Sequence, residues 1–413
     1  MPFDNLAAIG CHGRMENARL LDELFARSQI KLRRGAIFDA APPPLDLAGL
    51  RKNERIEGML LALAAGDSLG HSTEWKYDAD TRHREFGTIV DHVGTALSLA
   101  GRISDDTQFS FWTVESLLAE GRFDFDALTR HFLARRERAV GMGRNTAAAL
   151  ARHSERLRTG MPALHQCAGD PAVDGRGNGS VMRLAPLLLP HLRAPSSELY
   201  ADLALGAFLT HGHPAALAAT VALGTMLWEC LRRPVGEAAE PRWWLDEFVR
   251  IASDLEPWPP RYGPGKPPEP DALKQFEGCL WEFVDGPLRR MWQRGTSVRD
   301  ACSLAGFGSG ADCFQSVPAI LYILMHHADS LVAAVIAAVN DTKDNDTVAA
   351  VVGAFTGALH GRRAIRHKWL DGISSKSLGD DSGSPDRVLI ERLARRAAER
   401  FVGPTGSTAS GQP

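Results

Sequence analysis

The sequence has no Cys-x-x-Cys pair. Its six cysteines (Cys11, Cys167, Cys230, Cys279, Cys302 and Cys313) are scattered over 413 residues. That spacing suits neither a zinc ribbon nor a dense disulfide framework, and it implies free thiols in a reducing cytoplasm. Positive charge is not in excess either. The formal net charge is -3, so there is no basic field to gather nucleic acid, and a nucleic-acid partner is not expected. Long apolar runs are also missing. The longest stretch free of formal charge, residues 203–228, is broken by His211-Gly212-His213-Pro214. Neither side then offers the roughly 20 strongly apolar residues that span a bilayer, so no membrane partner is expected. The N-terminus carries acids early and no apolar core, which argues against a secretory signal. Valine and isoleucine are too scattered for alternating strands.

What remains is apolar residues at helical spacing. The composition, 44% hydrophobic and 23% charged, is that of an ordinary globular chain. The periodicity predicts helices over 55–69 (amphipathic), 107–118, 125–140, 146–157, 198–209, 215–231, 243–255, 271–283, 316–326, 330–339, 347–359 and 387–401. The expected fold is all-α. Residues 1–50 look different and read as an N-terminal arm. They hold one helix over 15–25 with Leu20, Leu21, Leu24 and Phe25 on one face, a basic knot at Lys31 to Arg34, and a proline linker at Pro42 to Pro44. Residues 51–402 form the main body. The proline-dense stretch from Pro257 to Pro270 excludes a helix, and 403–413 reads as a disordered tail.

Two acidic clusters stand out. Ser104-Asp105-Asp106-Thr107 precedes a helix, where a capping serine and acids at the positive dipole end are a sufficient structural reason for their presence. Two adjacent carboxylates nevertheless repel, and a divalent cation would relieve that repulsion. Asp344-Asn345-Asp346-Thr347 precedes a helix apolar on nearly every side, which must be buried. Gly353 and Gly357, four apart, allow another backbone to pack close. Carboxylates at the end of a buried helix are costly without partners. Both clusters offer oxygen and no sulfur, which suits Mg²⁺ or Mn²⁺. Brought together, they would cage two metals able to orient a substrate and activate water.

These residues resemble the ADP-ribosylglycohydrolase family, including the dinitrogenase reductase-activating glycohydrolases. The resemblance covers roughly residues 54–365. It rests on Gly66-Asp67-Ser68-Leu69-Gly70-His71-Ser72-Thr73-Glu74, Ser104 to Thr107, Gly177-Asn178-Gly179-Ser180-Val181-Met182-Arg183, Thr210-His211-Gly212-His213-Pro214 and Asp344 to Thr347, in that order. It implies an all-α orthogonal helix arrangement with two Mg²⁺ or Mn²⁺ ions held by Ser104, Asp105, Asp106, Asp344, Asp346 and Thr347. It also implies Glu74 as the acid touching metal or water, with Asp105 and Asp346 essential to catalysis. The implied reaction releases ADP-ribose from a modified protein side chain, most often arginine. In one respect the chain departs from the family: Thr342 and Lys343 stand where two glycines are usual, and Asn345 replaces a threonine. The sequence is also similar to the bacterial immunity branch, in which an N-terminal extension can plug an ADP-ribosyltransferase toxin. Residues 1–50 would then bind that toxin, and occlusion without hydrolysis is the competing reading.

Further candidates are weaker. The backbone of Gly177, Asn178, Gly179 and Ser180 could cradle a diphosphate, or the segment could be a connector. Gly308 and Ser309, in a second glycine-rich loop, are open to either reading. His211 could approach the ligand or simply pack. Asp67 reads as an acid behind the metal ligands. Trp75 or Phe109 could stack on adenine, although both are as readily core residues.

Overall fold

The computed structural model describes residues 17–74, 76, 78–160, 175–257, 269–379 and 383–403. Its helices in chain order are α1 (Asn17–Ala26), α2 (Leu47–Lys52), α3 (Arg55–Gly70), α4 (Ala79–Phe86), α5 (Asp105–Glu120), α6 (Phe125–Arg135), α7 (Arg144–Arg158), α8 (Glu198–Phe208) and α9 (Pro214–Arg232). They continue with α10 (Pro241–Leu255), α11 (Leu280–Phe283), α12 (Arg289–Gln293), α13 (Val298–Cys302), α14 (Cys313–His327), α15 (Leu331–Asp341), α16 (Asn345–His360), α17 (His367–Asp371) and α18 (Asp386–Val402). Among the described residues there is no strand, and one isolated bridge joins Gly177 to Asp312. The fold is all-α, as the periodicity and the resemblance implied.

The centre of the fold is the pair α3 and α16. Small residues decide how closely they pack. A Cβ on Gly66 would stand 2.2 Å from the Ala349 carbonyl oxygen, and one on Gly353 would stand 2.3 Å from that of Ala62. Gly58 and Gly357 meet in the same way, at 2.6 and 2.2 Å from each other's carbonyl oxygens. No side chain larger than hydrogen fits at these crossings. The contacts run in opposite order along the two chains, so the helices are antiparallel and the C-terminal end of α3 meets the N-terminal end of α16. A Cβ on Gly70 would stand 2.6 Å from the Asp346 Cα. Helices α9, α14 and α15 surround α16, while α5 and α18 cover α3.

Several sequence expectations are corrected. Helix α3 is not amphipathic, because every residue in it except Glu57 is buried. Helix α9 is, by length and composition, apolar enough to cross a membrane, contrary to the expectation. Within its most apolar window 94% is buried inside the fold, so it is a core helix. The expected helix over 271–283 is not continuous: only Leu280–Phe283 is α-helical. Gly278 has a φ of 158°, and the Glu282 carboxylate accepts the Cys279 N–H at 2.7 Å, so the helix starts afresh there. The helix expected to run to residue 140 stops at Arg135, where a short 3₁₀ turn, Arg136–Arg138, follows.

The described part of the N-terminal arm, 17–50, does not stand apart from the body. Leu21, Leu24, Ile30, Leu32 and Phe38 are buried in the common core. The Asn17 amide donates to Asp202 Oδ1 at 2.6 Å, Arg33 N to the Leu255 carbonyl at 2.7 Å, and Trp228 Nε1 to the Pro43 carbonyl at 2.9 Å. The basic knot is also occupied locally: Arg34 pairs with Asp22 and Asp39. Residues 1–16, the proline-dense 258–268, the tail from 404 and Trp75 lie outside the described residues.

The glycine crossing is open to test. Gly353→Ala is expected to cost at least about 2 kcal/mol by overpacking against backbone that has no room to shift. Gly286→Ala, whose Cβ would meet only the Arg290 guanidinium at 3.4 Å, should stay within about 0.5 kcal/mol of the parent. Denaturant midpoints of the two variants check this, and equal midpoints would contradict the packing argument.

Candidate metal centre

The site grows from three helix ends. At the start of α5, Ser104 is extended and its Oγ accepts the Asp106 N–H at 3.1 Å, the ordinary geometry of a capping serine. The same hydroxyl lies 2.9 Å from Asp106 Oδ2 and donates to it. Asp67, from α3, sits behind this turn. Its carboxylate accepts Ser104 N at 3.0 Å, Thr107 N at 3.1 Å and the Thr107 hydroxyl. Asp67 therefore anchors the α5 terminus through both Ser104 and Thr107.

The second acidic cluster arrives on α16. The Thr347 hydroxyl donates to Asp106 Oδ2 at 3.2 Å across 241 residues of sequence. Oxygens of Asp67, Asp106 and Asp346 all lie within 4.8 Å of one another. Asp344, just before the helix, is held from two sides. Its N–H donates to the Ser309 carbonyl at 2.9 Å, and its Oδ2 accepts the Asn178 amide at 2.6 Å. Ser309 acts through both of its polar groups, because its Oγ also accepts Lys343 N at 2.8 Å and donates to the Cys302 carbonyl at 2.9 Å. Arg82 of α4 is fully buried and donates to the carbonyls of Val339 at 3.1 Å and Thr342 at 2.8 Å. It thereby clasps the turn that leads into Asp344.

Burial sets the electrostatics. Desolvation, then the charges of Asp67 and Glu74, push Asp105 up to about 8. Desolvation and Glu74 push Asp344 to about 6, although the Asn178 hydrogen bond opposes the shift. Asp106 and Asp346 are pushed well above the carboxylate range, again first by burial and then by neighbouring acids. His71 follows the opposite logic. Burial disfavours its charge, but hydrogen bonds to Asp346 and Glu74 lift it to about 10. Asp106 Oδ1 is buried with no hydrogen-bond partner. A crowd of hard oxygen donors, mutually repelling and with one buried oxygen unsatisfied, fits a divalent cation of the Mg²⁺ or Mn²⁺ kind.

The structure thus brings together Ser104, Asp105, Asp106, Asp344, Asp346 and Thr347. Glu74 stands at the rim, its side chain 36% exposed, with Oε2 3.7 Å from His71 Nδ1. The glycine loop packs rather than hangs free. The Asn178 N–H is bonded to the Ala311 carbonyl at 3.0 Å, so it is not available to a phosphate. The buried Ser180 hydroxyl accepts from Thr220 at 3.0 Å. A Cβ on Gly177 would meet Asn145 at 2.9 Å, and one on Gly179 would meet the His211 ring at 2.9 Å. His211 supports that loop from beneath. Its Nδ1 faces the Thr210 hydroxyl at 2.8 Å, and burial with the nearby Arg183 charge pushes it down to about 3, so it is neutral. Gly308 has a φ of 76° and a Cβ there would strike Pro270, so it shapes the turn that carries Ser309. Phe109 is a core residue, edge-on to Trp112 and Phe132.

Sequence reasoning did not single out His71, Arg82 or Asn145. His71 left a signal: Asp67, His71 and Glu74 fall at helical spacing on one face. Arg82 left little, because α4 is mostly polar and only this residue of it is buried.

The raised carboxylates have a consequence for stability. An acid whose folded value lies above its unfolded value near 4 favours the fold while protonated. That contribution is complete below about pH 4 and is lost as pH rises through 6 for Asp344 and 8 for Asp105. Chelator-treated protein should therefore melt at lower temperature as pH goes from 5 to 8. Added Mg²⁺ or Mn²⁺ should raise the midpoint most at the upper end. A midpoint that neither falls with pH nor responds to cation would contradict this reading.

Comparison with known proteins agrees with the geometry. A family model described as ADP-ribosylglycohydrolase matches residues 48–405. The chain is 30% identical over 184 residues to an ADP-ribosyl-[dinitrogen reductase] glycohydrolase of Rhodospirillum rubrum, a match spanning 44% of this chain and 59% of that one. It is 24% identical over 331 residues to an ADP-ribosylarginine hydrolase of Pseudomonas putida, over 78% of this chain and 74% of the relative. Among solved structures, one described as an ADP-ribosylglycohydrolase-related protein complex superposes with a TM-score of 0.60 at 27% identity. That match covers 85% of this chain and 99% of the other. The chain belongs to the ADP-ribosylglycohydrolase family.

Proposed function

We propose that this protein hydrolyses the N-glycosidic bond between ADP-ribose and an arginine side chain of a modified protein, with two Mg²⁺ or Mn²⁺ ions at the centre described above. The observation that carries the reading is the meeting of the two acidic clusters, with Thr347 Oγ1 3.2 Å from Asp106 Oδ2. The arginine linkage is supported by the similarity to the Pseudomonas putida hydrolase.

Bound cations would supply positive charge to orient the ribose hydroxyls and to make water acidic near neutral pH. The chain's own residues do the rest. Asp105, Asp106, Asp344 and Asp346 present their oxygens, while Ser104 and Thr347 fix those of Asp106 by hydrogen bonds. Asp67 and Asn178 keep two of the turns from relaxing. Glu74, the most exposed acid of the group, is placed to take a proton from the attacking water. Thr342 and Lys343 are accommodated where the family usually has glycines. The Thr342 hydroxyl donates to the Ala338 carbonyl at 2.7 Å and prolongs the end of α15, while Lys343 N caps onto Ser309.

In a cell exposed to an ADP-ribosyltransferase toxin, this reaction would reverse the modification, which is the immunity role the sequence implies. Pure occlusion of a toxin through the described part of the arm, residues 17–50, is disfavoured. The apolar face of α1 is used against the body, and the Arg34 guanidinium is already paired. The free, buried thiols of Cys230, Cys279, Cys302 and Cys313 suit a reducing, cytoplasmic setting.

Release of ADP-ribose from an arginine-modified protein tests the proposal. Activity should appear with Mg²⁺ or Mn²⁺ and vanish with EDTA. Asp105→Ala and Asp346→Ala should each lower kcat/KM by about 10³ or more while circular dichroism shows the fold retained, a loss of roughly 4 kcal/mol in transition-state stabilisation. Full activity in EDTA and in both variants would exclude the metal mechanism.

A further inference from the structure

The oxygen donors of the centre are accompanied by one nitrogen. His71 closes the C-terminal end of α3, and its Nδ1 lies 3.4 Å from Asp346 Oδ2 and 3.7 Å from Glu74 Oε2. One ligand atom from each of these three residues lies within 4.8 Å of the others. The arrangement is set by the backbone. Gly70 lies so close to α16 that an added Cβ would stand 2.6 Å from the Asp346 Cα, and the next residue, His71, reaches the Asp346 carboxylate. The imidazole is 11% exposed and Asp346 is 4% exposed, whereas Glu74 reaches the surface. With metal–donor bonds near 2.1 Å, adjacent donors around one ion stand roughly 3.0–3.4 Å apart. The His71–Asp346 separation of 3.4 Å falls within that range, and the His71–Glu74 separation of 3.7 Å lies just beyond it. Asp346 also belongs to the all-oxygen group with Asp67 and Asp106, in which the buried Asp106 Oδ1 lacks any partner.

We propose that His71 supplies an imidazole nitrogen to a divalent cation held with Glu74 and Asp346, so that the centre has one mixed nitrogen–oxygen position beside an all-oxygen one. This rests on the metal reading given above and deepens it. Mg²⁺ takes oxygen donors almost to the exclusion of nitrogen, while imidazole favours the later first-row divalent ions. The mixed position therefore discriminates against Mg²⁺ and prefers Mn²⁺ or a later transition metal, with the shared Asp346 carboxylate tying the two positions together. A His71 lacking this role would serve only as a protonated partner to two acids.

The test uses the full chain, stripped with EDTA and titrated with Mn²⁺ alone. Bound Mn²⁺ should show nitrogen modulation in pulsed electron paramagnetic resonance, and that pattern should change when the protein carries ¹⁵N-histidine. In His71→Ala the modulation should disappear, and the preference for Mn²⁺ over Mg²⁺, measured by competition, should fall at least tenfold. Labelled wild-type protein gives the answer even if the variant does not fold. Mn²⁺ that binds without nitrogen modulation overturns the assignment of His71 and leaves the oxygen site standing. Failure of the stripped protein to bind Mn²⁺ at all overturns both.

Discussion

The centre of this protein depends on how closely two helices can approach. Five glycines along α3 and α16 let backbone rest on backbone, and the antiparallel crossing brings one helix's end against the other's beginning. Asp67, His71 and Glu74 leave α3 where Asp344 and Asp346 enter α16. Any side chain in the seam would separate the helices and with them the acids. The repulsion among the carboxylates acts in the opposite sense. Packing of a helix pair buried on all sides holds together what charge alone would drive apart. The α5 terminus is then attached by Asp67, and the second acidic cluster meets the first.

Much of this was legible in the sequence. A serine before two acids, and an Asp-x-Asp-Thr before a helix without a polar face, identify two helix starts. The burial of the second makes simple capping an insufficient account of it. Glycines four apart in an apolar helix correctly pointed to close backbone packing. The partner of that packing was not legible, because Gly58, Gly66 and Gly70 read equally well as ordinary residues of a helix. Contacts across long stretches of sequence were equally hidden. Nothing local announces that Ser309 holds Asp344, or that Asn178 reaches it from 166 residues away. The helix expected over 271–283 failed for a local reason of the opposite kind, since Gly278 breaks a run whose apolar spacing is otherwise helical. What the arm before residue 50 packs on was not legible, because proline-rich composition indicates a stiff connector and says nothing about the surfaces its flanks cover.

The two glycine-rich loops near the site also brace the protein itself. Gly177 and Gly179 make room for Asn145 and His211, and the Ser309 hydroxyl is committed on both sides. Small residues near an active centre can thus mark crowding by the protein itself as readily as the approach of a phosphate. The departure at Thr342 and Lys343 fits the same view. The Thr342 hydroxyl and the Lys343 backbone N–H continue the bracing network.

Asp67 carries a final consequence. Its carboxylate is occupied by three donors from Ser104 and Thr107, so the α5 turn is held in position whether or not an ion is present. A cage built this way is rigid before loading, and ordering its ligands adds little entropy cost when a cation enters. Ion exchange then becomes a matter of concentration and hydration rather than refolding.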